Sequence, residues 1–408
     1  MDAEDRTGRA APTETTATLR VLHVIPAVAE RYGGPSAVIA PMCRALGERG
    51  VETLLLSTDA DGRARLDAPI GTPTIWNGVP ALFFRRDASE AFKYSRGLSR
   101  WVSRHVSGFD VVHIHFVLSH APLAAAAACR HAGVPYVVRP LGTIATWSLQ
   151  QKALRKRVLI ALCAGRMLRH AAAIQYTTDE ERVDAERAFH LSNGVVIPLG
   201  VDLAPVDAGA EAAREARPFV LFLSRLHPKK QLELLIDAFA AARTSIAQPW
   251  QLVVAGEGDE PYVRSLEERA RTVAGDAIRF VGWVSGEAKR TLIGDASLLA
   301  LPSRHENFGV SVLEAMAAGV PVLLSPDVQL AGAVSLAGAG WVADATLESM
   351  QQALIHAMAS TDERRMRGAA ARALATRYSW PHVADQLLAL YRQVQNAPAA
   401  FEQRSSLQ

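Results

Sequence analysis

The chain has 408 residues, more than one ordinary domain holds and comfortable for two of about 200. Its composition, 49% hydrophobic and 21% charged, supports buried cores and excludes a disordered chain. A net charge of +3 is too small to point to nucleic acid as a partner. Residues 1–18 are polar, with Asp2, Glu4 and Asp5 and no apolar run, and predict a frayed tail in place of a signal peptide. From there apolar β-type runs alternate with longer helical patterns. Strands are expected over 20–25, 51–57, 111–115, 134–139, 172–176 and 195–198, with a hairpin-like pair in 74–86. The stretch 202–217 carries no strand pattern and reads as an interdomain linker. The alternation then restarts, with strands over 219–223, 251–255, 278–281, 297–301, 320–324 and 340–342, and closes on helical patterns over 347–359, 362–377 and 382–394.

This alternation predicts α/β architecture with parallel sheets covered on both faces, in two copies of one Rossmann-like plan. The expected division is a tail over 1–18, a domain over 19–200, a linker over 201–217 and a second domain over 218–380. A helix over 381–395 should pack back on the first domain, before a tail over 396–408. Cys43, Cys129 and Cys163 are scattered in apolar contexts without a CxxC pair, which argues against a disulfide framework and a zinc site. They read as buried thiols in a reducing, cytoplasmic compartment. No apolar run approaches the roughly 18 residues of a membrane span; the longest, 121–129, reads as a core helix.

In such sheets ligands bind beyond the carboxyl ends of strands, so the chemistry belongs at strand-to-helix junctions. The strongest signal is the run from His305-Glu306-Asn307-Phe308-Gly309-Val310 to Glu314 and Gly319, directly after an expected strand. A helix opening near Gly309 would offer the amides of Phe308, Gly309 and Val310, and its dipole, to an anion. Glu306 then sits in the loop and Glu314 two turns along the helix, each able to accept hydrogen bonds from sugar or ribose hydroxyls. The second signal is Arg225-Leu226-His227-Pro228-Lys229-Lys230-Gln231, at the end of the second domain's first strand. Two fixed cations at a helix start, Arg225 as a fork and Lys230 as a point charge, suit a diphosphate. They would also stabilise a leaving diphosphate as charge develops on it.

These two segments, about 80 residues apart, resemble the signatures of the retaining glycosyltransferases of family 4, which have the two-domain GT-B fold with a central cleft. The family's Arg-Leu-x3-Lys segment is matched by Arg225-Leu226…Lys230 and its Glu-x7-Glu segment by Glu306…Glu314. The resemblance covers roughly 19–395. It implies that Arg225 and Lys230 hold the donor diphosphate and take part in catalysis, that Glu306 binds the donor sugar and is catalytic too, and that Glu314 binds the ribose. Phe308, Gly309 and Val310 would add backbone contacts. The segments ending in Gly256-Glu-Gly258 and Phe280-Val-Gly-Trp-Val284 match the ends of the family's next two strands, Val284 edging the nucleobase. Gln231 stands where Gly is common after the motif lysine, and Leu199 where Asn is common in the interdomain pattern.

In the first domain the family's Gly-rich loop is matched by Gly33-Gly34, which would approach the donor phosphates by backbone. Its Asp-x-x-His-x-His strand is matched by Asp110-Val-Val-His113-Ile-His115, which places His115 at the cleft as a catalytic candidate and His113 deeper in the sheet. Arg139-Pro-Leu-Gly142-Thr143 resembles a stretch that borders the acceptor in related bacterial enzymes, so Arg139, Gly142 and Thr143 are acceptor candidates. The resemblance implies transfer of a hexose-type sugar from a nucleotide-diphosphate sugar to a saccharide or lipid-linked saccharide, with retention, in polysaccharide or glycoconjugate synthesis.

No cofactor and no metal are expected. Asp59-Ala-Asp61 lies in a loop with Gly62 and Arg63 and reads as a turn rather than a metal-binding acidic motif. A dehydrogenase is disfavoured because Pro261 stands where the dinucleotide fingerprint needs its third Gly. A nucleotide-sugar epimerase of the same fold and a non-catalytic sugar-nucleotide-binding subunit are the alternatives. From Arg139 to Arg169 there are seven Lys or Arg and no Asp or Glu. Read as a helix, Lys152, Arg155, Lys156, Arg166 and Arg169 share one face, which suggests either a solvated core helix or peripheral contact with an anionic membrane at the inner face of the plasma membrane.

Overall fold

The computed structural model of the chain describes residues 18–141, 164–203, 214 and 216–396. In chain order β1 (Arg20–Val24) leads into α1 (Gly34–Gly47), then β2 (Glu52–Thr58), the small hairpin of β3 (Ala60–Asp61) and β4 (Ala64–Arg65), and the pair β5 (Thr74–Trp76) and β6 (Val79–Phe84). There follow α2 (Arg96–His105), β7 (Val111–His115), α3 (His120–Ala132) and β8 (Tyr136–Arg139). The domain continues with α4 (Gly165–Arg169), β9 (Ala173–Tyr176), α5 (Asp179–Phe189) and β10 (Gly194–Val196). The strands form one sheet in the order β10-β9-β8-β7-β1-β2-β6-β5. Every neighbour pairs in parallel except β5, which turns back on β6 through Asn77-Gly78. Both residues have positive φ, 47° and 78°, which a two-residue hairpin turn requires and Asn-Gly supplies at low cost.

The second sheet is built from β11 (Phe219–Leu223), β12 (Gln251–Ala255), β13 (Ile278–Gly282), β14 (Leu298–Leu301), β15 (Val322–Leu324) and β16 (Gly340–Val342). All pair in parallel, in the order β13-β12-β11-β14-β15-β16. The helices between them are α6 (Leu232–Arg243), α7 (Glu260–Ala274), α8 (Gly286–Asp295), α9 (Val310–Ala317) and α10 (Ala331–Ala337). Then come α11 (Leu347–Ala359), α12 (Thr361–Ala375) and α13 (Trp380–Gln395). Central strands such as β11, Phe-Val-Leu-Phe-Leu, are continuously apolar because helices cover both faces; Val220, Leu221 and Phe222 have no exposed surface.

Strand order reverses between β1 and β7 in the first sheet and between β11 and β14 in the second. A doubly wound sheet opens a crevice at that reversal, outside the carboxyl ends of the strands. The loops after β1, β7, β11 and β14 are therefore where this fold can hold a ligand.

The chain passes between the domains twice, and the two passages are paired. Val201 N donates to Tyr378 O at 2.8 Å and Trp380 N donates to Val201 O at 3.2 Å. Beyond this crossing α13 returns to pack on α1, with Asp385 paired to Arg49. The Tyr391 hydroxyl meets His113 Nδ1 at 2.7 Å inside the first domain. Tyr391→Phe leaves that fully buried nitrogen without a partner, a loss of about 1–3 kcal/mol. Urea unfolding of the first domain should shift to a lower midpoint in this variant; an unchanged midpoint would mean that the bond contributes nothing.

Candidate active site

The second domain supplies a carboxylate and a cluster of cations. After β14 the loop 302–309 ends at Gly309, which has φ 75° and ψ 65° and precedes the first residue of α9. This left-handed conformation favours glycine, and a Cβ here would also lie 3.2 Å from Val312 Cγ2. The amides of Val310 and Ser311, the first two of α9, have no partner within the helix and no side-chain cap, so they are open to an acceptor; Val312 N already donates to Gly309 O at 2.9 Å. Phe308 is buried against the edge of Tyr378, and Val310 is half-buried.

Glu306 lies in that loop, and its carboxylate pairs with Lys230 Nζ. Lys230 ends the short turn Pro228–Lys230 after β11, and Gln231, at φ 52°, switches the chain into α6. Lys230 is only 6% exposed. Burial, with Lys229 and Arg225 nearby, pushes its ammonium down to about 7, while the Glu306 carboxylate acts to hold the charge. Lys229 is lowered too, by burial and by Arg225; Arg225 itself is exposed. The loops after β11 and β14 are joined by Arg304 N donating to Lys229 O at 2.9 Å. Arg225, Lys229 and Lys230 concentrate positive charge on one turn beside Glu306, a setting that suits an anion.

This gives a pH dependence of definite sign. Above pH 7 the free protein loses the Lys230 proton, although an ordinary lysine keeps its own to about 10.4. A bound diphosphate favours the ammonium, so binding takes up a proton in that range. Affinity for a nucleoside diphosphate should fall as pH rises from 7.5 to 9, by up to about tenfold per unit. Calorimetric titration of wild type and Lys230→Arg checks this. The arginine variant should be flat, and a flat wild-type profile would show that Lys230 stays charged throughout.

Glu314 lies on α9, half-buried, with its Oε1 2.6 Å from Lys289 Nζ on α8. Burial raises its pKa and Lys289 opposes the rise. Its other oxygen, Oε2, is buried without a partner and is available to a hydroxyl donor. Lys289 was not foreseen from sequence, because no local spacing links it to Glu314. Gly256, a donor-binding candidate, packs closely on the loop after β11: a Cβ there would lie 1.9 Å from Ser224 O. Val284 is half-buried after β13.

The first domain meets this site across the cleft. Gly33, at φ 79°, precedes α1, and a Cβ on Gly34 would come within 3.0 Å of Val310 Cγ2. The Gly-rich loop of one domain thus faces the helix start of the other. Two side-chain contacts also cross. Asn307 Nδ2 donates to Thr177 Oγ1 at 3.1 Å, and Thr178 Oγ1 donates to Gln329 Oε1 at 2.6 Å. Neither threonine stood out in the sequence.

The structure corrects the expectation that His115 faces the cleft: it is fully buried. His23 and His113 are partners in register on β1 and β7, and His115 follows on the same face, which α13 covers. His115 Nε2 lies 3.2 Å from His23 Nδ1, with the rings stacked at 5.5 Å. Arg139, paired in register with His115, is also buried, at 1% exposure. Burial lowers its pKa to about 10, and its Nε and Nη2 have no partner. Burial holds all three imidazoles below their usual range, and the Arg139 charge adds to the effect. The ligating atoms of these imidazoles lie within 4.8 Å of one another, but a cation placed among them would face the same guanidinium.

Gly142 and Thr143 lie outside the described residues, as do Lys152, Arg155 and Lys156; Arg166 and Arg169 lie on α4. Asp59-Ala-Asp61 enters the β3–β4 hairpin, and Asp59 is engaged by Arg65 and by Arg86 N, each at 2.7 Å. Cys43 and Cys129 are buried, and burial pushes both thiols up to about 12. No helix among the described residues is long and apolar enough to cross a membrane.

The chain is similar to known proteins in sequence and in fold. Residues 33–200 match the glycosyl transferase 4-like domain, and residues 206–374 match the glycosyl transferases group 1 family. A GDP-mannose:cellobiosyl-diphosphopolyprenol alpha-mannosyltransferase of Komagataeibacter xylinus is 25% identical over 92% of this chain and 94% of its own. A GDP-mannose-dependent alpha-(1-6)-phosphatidylinositol dimannoside mannosyltransferase of Mycobacterium tuberculosis is 33% identical over 52% of this chain and 55% of its own. Among solved structures, Anabaena HepE in complex with UDP and glucose superposes with a TM-score of 0.71 at 17% identity, over 92% of this chain and all of that one. Two family models that together run from the Gly-rich loop to α12, on two parallel-sheet domains facing one cleft, lead to one assignment: the chain belongs to the family 4-type glycosyltransferases and has their GT-B fold.

Proposed function

We propose that the chain transfers a hexose-type sugar from a nucleotide-diphosphate sugar to a saccharide or lipid-linked saccharide, with retention and without a metal, in polysaccharide or glycoconjugate synthesis. The observation that carries this reading is the Lys230–Glu306 pair, set beside the open N-terminus of α9 and opposite Gly34. A diphosphate placed there meets Arg225, Lys230 and the helix amides, and these stabilise the charge that grows on it as the glycosidic bond breaks. Glu306 is then within reach of the sugar that is leaving, and accepts its hydroxyls. Glu314 offers its unpartnered Oε2 to the ribose. Because fixed cations neutralise the diphosphate, the chemistry needs no divalent ion. Arg139, the acceptor-side candidate, is buried at the end of β8, so it would act on an anionic acceptor through its charge and not by direct contact.

The relatives' names make GDP-mannose and a polyprenyl-diphosphate-linked saccharide the first donor and acceptor to test. Proton NMR of the product made from an α-configured donor should show an α linkage. A β product would overturn the retaining assignment.

A further inference from the structure

We infer that Thr177 and Thr178, at the tip of β9 in the first domain, are positioning residues for Glu306 in the second. The inference rests on reading Glu306 as the carboxylate that meets the donor sugar. Glu306 is not part of α9; a backbone bridge holds it in the loop before that helix. Its N–H donates to Asp327 O, and Gln329 N–H donates to Glu306 O, each at 3.2 Å. Both sides of this bridge reach across the cleft. Asn307, next to Glu306, donates from Nδ2 to Thr177 Oγ1 at 3.1 Å. Gln329, on the other side, accepts at Oε1 from Thr178 Oγ1 at 2.6 Å. Two contacts from neighbouring threonines thus clamp the segment that carries the carboxylate.

The threonines are themselves fixed. Buried Glu181 accepts at Oε2 from both Thr177 N and Thr177 Oγ1, each at 2.8 Å. Thr178 caps α5, its hydroxyl accepting from Glu181 N at 3.2 Å. The proton count is consistent. Thr177 gives its one hydroxyl proton to Glu181 and can only accept from Asn307, whose amide has a proton to give. Thr178 accepts from a backbone N–H and gives its proton to Gln329. The clamp exists only while the domains meet, as they also do at Gly34 and Val310. Domain closure and the placement of Glu306 are therefore one event, and residues of the first domain complete the site of the second.

Hydrogen–deuterium exchange on the full chain without donor tests this, comparing wild type with Thr177→Val, Thr177→Ser and Gln329→Leu. The Glu306 and Gln329 amides should exchange roughly three- to tenfold faster in Thr177→Val and in Gln329→Leu. Amides of β14 should be unchanged, and Thr177→Ser, which keeps the hydroxyl, should match wild type. If Thr177→Val melts early, Gln329→Leu carries the test, because Gln329 is only half-buried. Unchanged exchange at both amides would overturn the inference. So would acceleration spread over the whole second domain, which marks a merely structural contact. Exchange does not depend on turnover, so an inactive wild type would count against the Glu306 reading and leave this result standing.

Discussion

Arg225→Ala and Lys230→Ala should each lower donor turnover by about 10²–10³-fold, while the wild-type protein should keep its activity in EDTA. Both outcomes follow from one feature of the second domain. Lys230 is buried beside Glu306, and Lys229 and Arg225 crowd the same turn, so positive charge is concentrated before any substrate arrives. Burial makes the Lys230 charge worth more to a diphosphate than it would be in water. Lys230→Ala carries a second loss, because it strips Glu306 of its partner. Arg225 is exposed, so its removal should leave folding intact and act on the leaving group alone. Steady-state kinetics of the two variants, and of wild type with and without added Mg²⁺ or Mn²⁺, check the prediction. Full dependence on the added ion would refute the metal-free mechanism.

The two glutamates should separate under the same substitution. Glu306→Gln removes a charge next to the transferring sugar and should lower kcat by roughly 10–150-fold, the equivalent of a charge-assisted hydrogen bond of about 1.5–3 kcal/mol. Glu314→Gln should leave kcat nearer to wild type and raise Kd for the nucleoside diphosphate by a similar factor. In Glu314→Gln the Lys289 ammonium, 2.6 Å from Oε1, loses its counter-charge as well. Kinetics together with nucleotide titration distinguish the two; wild-type values in both variants would remove both residues from the site.

Much of this was legible before the fold was seen. Strands such as 219–223 and 251–255 were readable because both faces are buried, which leaves unbroken apolar runs over 219–223 and 252–255. Glu306 and Glu314 were readable because a strand end, a Gly-rich turn and a helix start follow one another within a few residues, so local spacing sets their geometry. His115 was misplaced for the opposite reason. Alternation along β7 tells which face a side chain takes and says nothing of what covers that face. The cover is α13, whose Tyr391 reaches His113 from 278 residues away. His23, set among the apolar residues Val21, Leu22 and Val24, was a signal that could have prompted a buried cluster. Lys289, Thr177 and Thr178 carry no such signal, since each acts only through a partner brought to it by packing.

The most direct measurement is thermal melting in EDTA with a panel of nucleotide sugars that includes GDP-mannose and UDP-glucose, in wild type, Lys230→Ala and Glu314→Gln. A donor bound by the folded protein alone raises the melting temperature by mass action. The expected result is a rise with one donor in wild type, and loss of that rise in both variants. No rise with any donor, or a rise that both variants keep, would contradict a donor site built on the loops after β11 and β14.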